Sequence, residues 1–351
     1  MRAPGNARSR GPARAVLVTG GAGFIGSHIV DALLTRGDRV VVVDDLSTGR
    51  RANLPDAHPA LSVIIARLTD AIGAPELDQS FDTIFHLAAA VGVNRVIDDP
   101  IRSVENNVSE TADILRYALS HGPRPGVAAR FLFASSSEVY GKSTQTPFTE
   151  DADTVFGPTS ARRWSYGASK ALGEHLVLAH AERHALPATI VRLFNTVGPR
   201  QIGQYGMVLP RFVASALRRE PLRVFGDGSQ SRCFCDVRDV APAIIDLADH
   251  PGAIGGVFNL GSDAPITIAD LARAVNHHLE NPAGTTLVPY DQAYGPGFED
   301  LAQRIPSLSR VRSLLAFQPR YGLADTVRDI ASSLRAEAPD HAPASVDARP
   351  E

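Results

Sequence analysis

The sequence predicts an α/β protein in which helices cover both faces of a parallel β-sheet, with a smaller C-terminal α/β domain beside it. Short apolar runs rich in β-branched residues alternate with segments of helical periodicity, which is typical of parallel strands joined by crossover helices. The first run, AVLVTG at 15–20, is apolar until it stops at glycine, as expected of a strand buried on both faces. Ligands of such sheets bind at the carboxyl ends of the strands.

The other elements follow in order along the chain. FIGSHIVDALLTRG at 24–37 places Ile25, Ile29 and Leu33 on one side of a helix that Gly37 closes. Further apolar runs predict buried strands, and the segments between them predict helices. The remaining predicted strands are at 39–45, 61–66, 82–88, 130–135 and 188–194, and the remaining predicted helices are at about 101–120 and 164–184.

Composition and charge exclude several classes of protein. A chain of 351 residues with 44% hydrophobic content buries a sizeable core. A net charge of −3 and a pI near 6.4 provide no general attraction to nucleic acid or an anionic membrane. No run approaches the roughly 18 apolar residues of a membrane span, so we expect a cytoplasmic protein. Cys233 and Cys235 lack the further ligands that zinc needs, and we expect them to pack in a strand with no metal site.

Three glycines, Gly20, Gly23 and Gly26, fall in TGGAGFIGS between the first strand and the first helix. Glycines there allow a tight turn and close backbone approach to a pyrophosphate, while the helix N-terminus presents free N–H groups to the anion. Asp44 ends the second strand 18 residues later, where a carboxylate accepts both ribose hydroxyls and repels a 2′-phosphate. The sequence therefore predicts a Rossmann-type doubly wound sheet that binds NAD rather than NADP.

Tyr166 and Lys170 are four residues apart in YGASK, so they lie on one face of a helix about 6 Å apart along its axis. The Lys170 ammonium is expected to lower the pKa of the Tyr166 phenol and to reach the nicotinamide ribose. Such a tyrosine takes a proton from a substrate hydroxyl while the adjacent carbon gives hydride to NAD. Ser136, after the preceding strand, is expected to hydrogen-bond the same oxygen.

From about 15 to 335 the chain resembles the extended short-chain dehydrogenase/reductases that act on nucleotide sugars. The resemblance is carried by TGGAGFIGSH, VVVDDLSTG, HLAAAVGV, SSSEVYG, YGASK and RLFNTVGPR. One departure is Arg67, which with the preceding alanine replaces the Gly-Asp that relatives commonly place against adenine; stacking of its guanidinium on the adenine is the expected substitute. The implied cofactor contacts come from the backbones of Phe24 and Ile25 and from Leu87, Ala88 and Ala89.

The resemblance also divides the chain. We expect an NAD-binding Rossmann domain at 15–194 and a nucleotide-sugar-binding region at 195–335 whose connections cross back to the sheet. The arginine-bearing segment 1–14 and the segment 336–351, rich in proline, alanine and charge, are predicted to be a disordered leader and a disordered tail. Relatives also suggest a homodimer formed through the helices near 101–120 and 164–184.

Enzymes of this family share a sugar oxidised to a 4-ketone and then diverge. Return of hydride to the other face of the ketone makes a 4-epimerase, loss of the 6-hydroxyl makes a dehydratase, and loss of a 6-carboxylate makes a decarboxylase. Ser137-Glu138 resembles the uronate decarboxylases, and Arg163, three before Tyr166, resembles UDP-glucuronate decarboxylases and UDP-apiose/xylose synthases. An arginine there offers paired donors to a substrate carboxylate. The loop HLAAAVGVNRVIDDP instead resembles that of the 4-epimerases.

These features favour a UDP-glucuronate decarboxylase in which Ser136, Glu138, Arg163, Tyr166 and Lys170 are catalytic. The alternatives are a UDP-sugar 4-epimerase of the UDP-glucuronate or UDP-glucose type, then a dehydratase. A non-enzymatic NAD sensor or scaffold subunit is a further alternative, although such proteins typically lack the serine, tyrosine or lysine. The resemblance implies a UDP-linked sugar as substrate, with contacts from Ser137, Asn195, Val208, Leu209, Val224, Arg232 and Arg304, the two arginines binding the diphosphate.

Overall fold

A computed structural model describes residues 13–89, 100–203, 207–294, 301 and 303–337 of the chain. Most of the predicted leader and tail lies outside these residues, and so does most of the loop HLAAAVGVNRVIDDP.

The strands are short, and several have only two or three residues. They are β1 (Ala15–Thr19), β2 (Arg39–Asp44), β3 (Leu61–Ile65), β4 (Thr83–His86), β5 (Arg130–Ser136), β6 (Ala188–Leu193), β7 (Thr196–Val197), β8 (Leu222–Phe225), β9 (Ser231–Cys233), β10 (Cys235–Asp236), β11 (Val257–Leu260), β12 (Pro265–Thr267), β13 (Thr285–Val288) and β14 (Gln303–Arg304).

The helices alternate with the strands over most of the chain. They are α1 (Phe24–Arg36), α2 (Leu68–Ala71), α3 (Pro100–Ser120), α4 (Ser165–His184), α5 (Val208–Leu217), α6 (Val237–Asp249), α7 (Ile268–His278), α8 (Tyr290–Tyr294), α9 (Ser309–Leu315) and α10 (Leu323–Glu337).

The central sheet confirms the predicted Rossmann-type arrangement. Within the described part of the chain it has seven strands in the order β11-β6-β5-β4-β1-β2-β3, and every pairing in it is parallel. All five residues of β1 are buried, as their apolar side chains require in a strand covered on both faces. The strand order reverses direction beside β1 and β4, which is where ligands bind in such sheets.

Helices bury an apolar core on each face of this sheet. On one face Ile29 and Leu33 of α1 pack with Ile244 of α6. On the other face Ile114 of α3 and Val177 of α4 share a second core. Their apolar residues at helical spacing supply the stripe that each helix turns toward the sheet.

The chain beyond β6 builds a smaller region and also returns to the sheet. Phe212 of α5, Leu271 of α7 and Val327 of α10 form a separate core under the two-stranded and three-stranded sheets of this region. The strand β11, which the sequence did not predict, pairs with β6 at the edge of the central sheet. Cys233 and Cys235 are buried and unbonded to each other in β9 and β10, as predicted. No helix among the described residues has the length and apolar character to cross a membrane.

Candidate active site

One cavity of about 460 Å³ runs from the turn after β1 to the C-terminal region. Its walls come from the carboxyl ends of β1, β2, β4 and β5, from the start of α4 and from the segments around α5, β8, β9 and β14. The predicted site residues that line it are Gly20, Gly23, Phe24, Ile25, Gly26, Asp44, Leu87, Ala88, Ala89, Ser136, Ser137, Glu138, Arg163, Tyr166, Lys170, Asn195, Val208, Leu209, Arg232 and Arg304.

The glycine turn at one end of the cavity leaves no room for side chains. Gly20 has a φ of +72°, and a β-carbon there would lie 2.7 Å from the backbone nitrogen of Ala88. A β-carbon at Gly26 would overlap the carbonyl oxygen of Gly20. Helix α1 begins directly after Gly23, so its unpaired N–H groups face the space that these glycines keep open. This turn fits the pyrophosphate of a dinucleotide.

Backbone N–H groups fix the Asp44 carboxylate at the end of β2. Its Oδ2 accepts a hydrogen bond from the Ala22 nitrogen at 2.9 Å, and its Oδ1 accepts one from the Leu46 nitrogen at 2.8 Å. Burial raises the pKa of Asp44, while these hydrogen bonds oppose the rise. A fixed carboxylate at this position accepts ribose hydroxyls, so the residues present fit NAD.

Tyr166, Ser136 and Lys170 converge where β5 ends and α4 begins. Tyr166 shares a side-chain hydrogen bond with Ser136. The Lys170 side chain is buried, and its Nζ donates to the carbonyl oxygen of Ala134 at 2.8 Å. Burial lowers the pKa of Lys170 to about 8, although nearby glutamates oppose this shift.

The prediction that Lys170 lowers the pKa of Tyr166 is wrong in this structure. Burial raises the pKa of Tyr166, and the nearby Glu138 carboxylate raises it further, while only the hydrogen bond with Ser136 lowers it. The ammonium of Lys170 is engaged with β5 instead. Tyr166 is therefore a neutral phenol that must lose its own proton before it can accept one.

Glu138 is surrounded by arginines from three parts of the chain. Its carboxylate accepts from Nη1 of Arg304 and lies 3.3 Å from Nη1 of Arg163. Burial raises the pKa of this carboxyl, but Arg304, Arg163 and then Arg232 outweigh the effect and hold it below its ordinary value. The side chains of Arg304 and Arg163 are only 7% and 8% exposed, so solvent screens their attraction to the Glu138 carboxylate only weakly.

Short strands bring two of these arginines together. Strands β9 and β14 are parallel, and Arg304 is the register partner of Arg232. Arg232 is itself buried and donates to the carbonyl oxygens of Ser231 at 2.7 Å and Leu301 at 2.9 Å. The two predicted arginines are thus adjacent, and Arg304 also contacts the carboxylate of Glu138.

One predicted contact lies elsewhere. Val224 is 1% exposed and packs in the core beneath β8, so it does not line the cavity. The next residue, Phe225, lines the cavity because alternate residues of a strand face opposite sides. The guanidinium of Arg211 lies 4.1 Å from the centre of the Phe225 ring.

Several cavity residues were not predicted. They are Asp45, Ser47, Thr48, Asn106, Glu110, Thr196, Gln201, Met207, Arg211, Phe225, Gln230, Phe234 and Tyr290. Arg67 also lines it, and its Nη2 donates to Oδ1 of Asn106 at 2.7 Å. Side chains alternate between the two faces of β8, so Phe225 could have been identified if the buried face of that strand had been known. No local sequence pattern identifies Tyr290. Among the described residues, no group of histidine, cysteine, aspartate or glutamate side chains forms a metal site.

A dinucleotide-binding sheet with serine, tyrosine and lysine at its ligand edge defines an NAD-dependent enzyme that oxidises and reduces a hydroxyl-bearing substrate. The chain belongs to the NAD dependent epimerase/dehydratase family, which residues 16–261 match. The resemblance to extended short-chain dehydrogenase/reductases acting on nucleotide sugars is confirmed, and NAD is the cofactor of this family.

Similar proteins include decarboxylases by sequence and epimerases by structure. The UDP-N-acetyl-alpha-D-glucosaminuronate decarboxylase of Bacillus cytotoxicus is 38% identical over 89% of this chain and 96% of its own length. UDP-glucuronic acid decarboxylase 2 of Arabidopsis thaliana is 35% identical over 88% of this chain and 65% of its own length. The UDP-glucuronic acid 4-epimerase from Bacillus cereus, solved with UDP-glucuronic acid and NAD, is 26% identical with a TM-score of 0.79, covering 92% of this chain and 99% of its own. The chain is thus an enzyme of the NAD-dependent nucleotide-sugar decarboxylase, epimerase and dehydratase type.

Proposed function

We propose that this enzyme decarboxylates a UDP-linked uronate, either UDP-glucuronate or its 2-acetamido counterpart. The observation that carries this proposal is the charge at the reactive end of the cavity. Arg163, Arg232 and Arg304 gather around the single carboxylate of Glu138, which leaves an excess of two positive charges beside Tyr166. A substrate with both a diphosphate and a carboxylate supplies the matching negative charge.

The first half of the reaction is oxidation of the sugar at C4. Tyr166 in its ionised form, after its own proton has passed to solvent, accepts the proton of the 4-hydroxyl, and Ser136 donates a hydrogen bond to the same oxygen. Lys170 holds a positive charge one helical turn away. The glycine turn after β1 and Asp44 would hold NAD, which would supply the hydride acceptor for C4 and a positive charge that favours ionisation of the Tyr166 phenol.

The second half is loss of carbon dioxide. With a ketone at C4 the uronate is a β-keto acid, so the bond from C5 to C6 breaks and its electron pair moves into the C4 carbonyl. Ser136 and Tyr166 stabilise the oxygen that gains this charge, as an oxyanion hole does. Arg163 and Arg304 orient the carboxylate that leaves, and Glu138 holds the two guanidiniums in place. A proton added at C5 from water completes a 4-keto pentose, and return of the hydride to C4 with the proton held by Tyr166 would give the pentose.

We also propose the remaining roles. Leu87, Ala88 and Ala89 contact the cofactor, Asn195, Val208 and Leu209 contact the nucleotide or its phosphates, and Arg232 contacts the diphosphate. The packed pair of α3 and α4 is the proposed homodimer surface, and its exposed apolar residues include Ile101 and Leu172. Size-exclusion chromatography with light scattering tests the dimer, and cell fractionation tests the cytoplasmic location.

The function is tested by incubating the purified enzyme with UDP-glucuronate and with UDP-N-acetylglucosaminuronate. We expect release of carbon dioxide from at least one of them and a UDP-linked pentose or 4-keto pentose in the NMR spectrum. Tyr166→Phe should abolish this release. No carbon dioxide from either substrate would overturn the proposal.

A 4-epimerase is the second candidate, because the Bacillus cereus structure solved with UDP-glucuronic acid has the same fold over most of its length. An epimerase of that type also takes a carboxylate-bearing sugar, so the arginine cluster suits both candidates, and the 38% identity to the Bacillus cytotoxicus decarboxylase favours decarboxylation. UDP-galacturonate formed without carbon dioxide would establish the epimerase.

A further inference from the structure

Three residues at successive turns of α4 each contact the end of β5. Tyr166 pairs with the Ser136 hydroxyl, and Lys170 donates to the Ala134 carbonyl oxygen at 2.8 Å. One turn further along, Glu174 accepts a hydrogen bond from the Ser135 hydroxyl at 2.5 Å. Residues four apart lie on one face of a helix, so this stripe docks α4 onto consecutive residues of the strand that carries the catalytic serine.

Glu174 is more firmly held than either of the residues before it in the stripe. It is 5% exposed, and Arg192 of β6 donates to it from Nη2 at 2.7 Å and from Nε at 3.0 Å. A buried paired guanidinium and carboxylate fix relative orientation as well as charge. Glu174 thereby ties α4 to two neighbouring strands of the central sheet, β5 and β6.

We propose that Glu174 is a positioning residue for the reaction: it sets the register of α4 against β5, and so the placement of Tyr166 and Lys170 against Ser136. It lies one turn beyond Lys170 and makes its contacts inside the protein rather than with the substrate. Its effect on the reaction passes through the two residues that precede it on the helix.

A second set of contacts extends from this pair to Arg304. Nη1 of Arg192 donates to the carbonyl oxygen of Glu150 at 3.0 Å, and two residues earlier the Phe148 nitrogen donates to the Ile305 carbonyl oxygen at 2.8 Å. Ile305 directly follows Arg304. The Glu174–Arg192 pair therefore braces the strand segment that delivers Arg304 to the cavity, as well as the catalytic helix.

Glu174 also acts on the charge of Lys170. The titratable groups that act on Lys170 are Glu174 on its own helix, Glu110 on α3 and the buried, uncharged His86 on β4, while Arg192 of β6 pairs with Glu174. Burial lowers the pKa of Lys170 to about 8, and Glu174 is the larger of two carboxylates that oppose the shift. Loss of the Glu174 charge moves that pKa further down, whereas loss of a purely structural contact leaves it in place.

The chain contains two lysines, Lys142 and Lys170, so side-chain NMR of isotope-labelled lysine gives two signals and reports the Lys170 midpoint directly. In Glu174→Gln we expect the midpoint to fall by about one pH unit, which is a tenfold change in the protonation equilibrium. Glu182→Gln, on the exposed end of the same helix, should leave it unchanged. An unshifted midpoint in Glu174→Gln would overturn the electrostatic part of the proposal, whether or not the proposed decarboxylation is correct.

Ser135→Ala tests the positioning part even if Glu174→Gln folds poorly, because it removes one hydrogen bond and keeps the ion pair with Arg192. The kinetic readout rests on the proposed function. We expect kcat on UDP-glucuronate to fall about tenfold with KM within a factor of two, because a small displacement of Tyr166 slows the chemical step without changing substrate binding. The Lys170 midpoint should stay at its original value. Unchanged kcat in Ser135→Ala would refute the positioning role.

Discussion

Replacing Arg163 with alanine removes a guanidinium whose side chain is 8% exposed and whose Nη1 lies 3.3 Å from Oε2 of Glu138. The substrate carboxylate is proposed to contact this guanidinium. Loss of the guanidinium should therefore weaken the binding of a uronate substrate and leave the binding of a neutral sugar unchanged. A hydrogen bond between charged groups in a buried site contributes about 1.5–3 kcal/mol, which corresponds to roughly a 10- to 150-fold change in affinity.

The assay compares the binding of UDP-glucuronate and UDP-glucose. Isothermal titration calorimetry in a Tyr166→Phe background, which should not turn over UDP-glucuronate, measures both dissociation constants without a probe at the altered position. We expect Kd for UDP-glucuronate to rise at least tenfold in Arg163→Ala and Kd for UDP-glucose to change less than twofold.

Arg162→Ala is the matched control, because this neighbouring arginine is exposed. It should leave both dissociation constants within a factor of two of the original values. If Arg163→Ala weakened the binding of both nucleotide sugars equally, the guanidinium would contact the nucleotide that they share or stabilise the fold. The proposed contact with the substrate carboxylate would then be refuted.

Three further predictions follow from the same structure. Gly26→Ala should weaken NAD binding at least tenfold in calorimetry, because the added β-carbon overlaps the Gly20 carbonyl oxygen. Gly322→Ala is the control, since its β-carbon meets nothing closer than 3.6 Å, and it should leave NAD affinity unchanged. Equal affinity in the two variants would contradict the role of the turn. Glu138→Gln should lower the free energy of unfolding by about 3 kcal/mol in urea denaturation, since it leaves buried arginines without a counter-charge, and a change below about 1 kcal/mol would show that the cluster is solvated. Burial lowers the pKa of His86 to about 3, so the unfolded chain binds a proton below pH 6.5 that the folded chain excludes, and stability falls as the pH drops from 6.5 toward 3. From pH 7 to pH 5 this one group should cost about 2 kcal/mol, a loss that His86→Gln should remove and that urea titrations at the two pH values measure.

Local patterns determined the sheet and the cofactor end of the site. The β-branched runs of β1 and β2 and the glycine spacing between β1 and α1 leave few other arrangements, because a buried parallel strand must be apolar on both faces. Tyr166 and Lys170 were identifiable as partners because helix geometry fixes the separation of residues four apart. The placement of Gly20, Asp44 and Ser136 at one edge follows from parallel strands ending together.

Tertiary structure alone decided how the arginines gather around Glu138. Arg304 meets Glu138 across 166 residues of chain, through the register of β14 with β9. Strands of two or three residues have no periodicity to detect, so neither the register nor the burial of Arg304 was visible in sequence. The hydrogen bond of Lys170 with the Ala134 carbonyl likewise depends on which face of a strand is covered. The same is true of the Val224 side chain, which packs in the core. Hydrophobic pattern specifies local elements, whereas the convergence of buried charges depends on how distant segments pack.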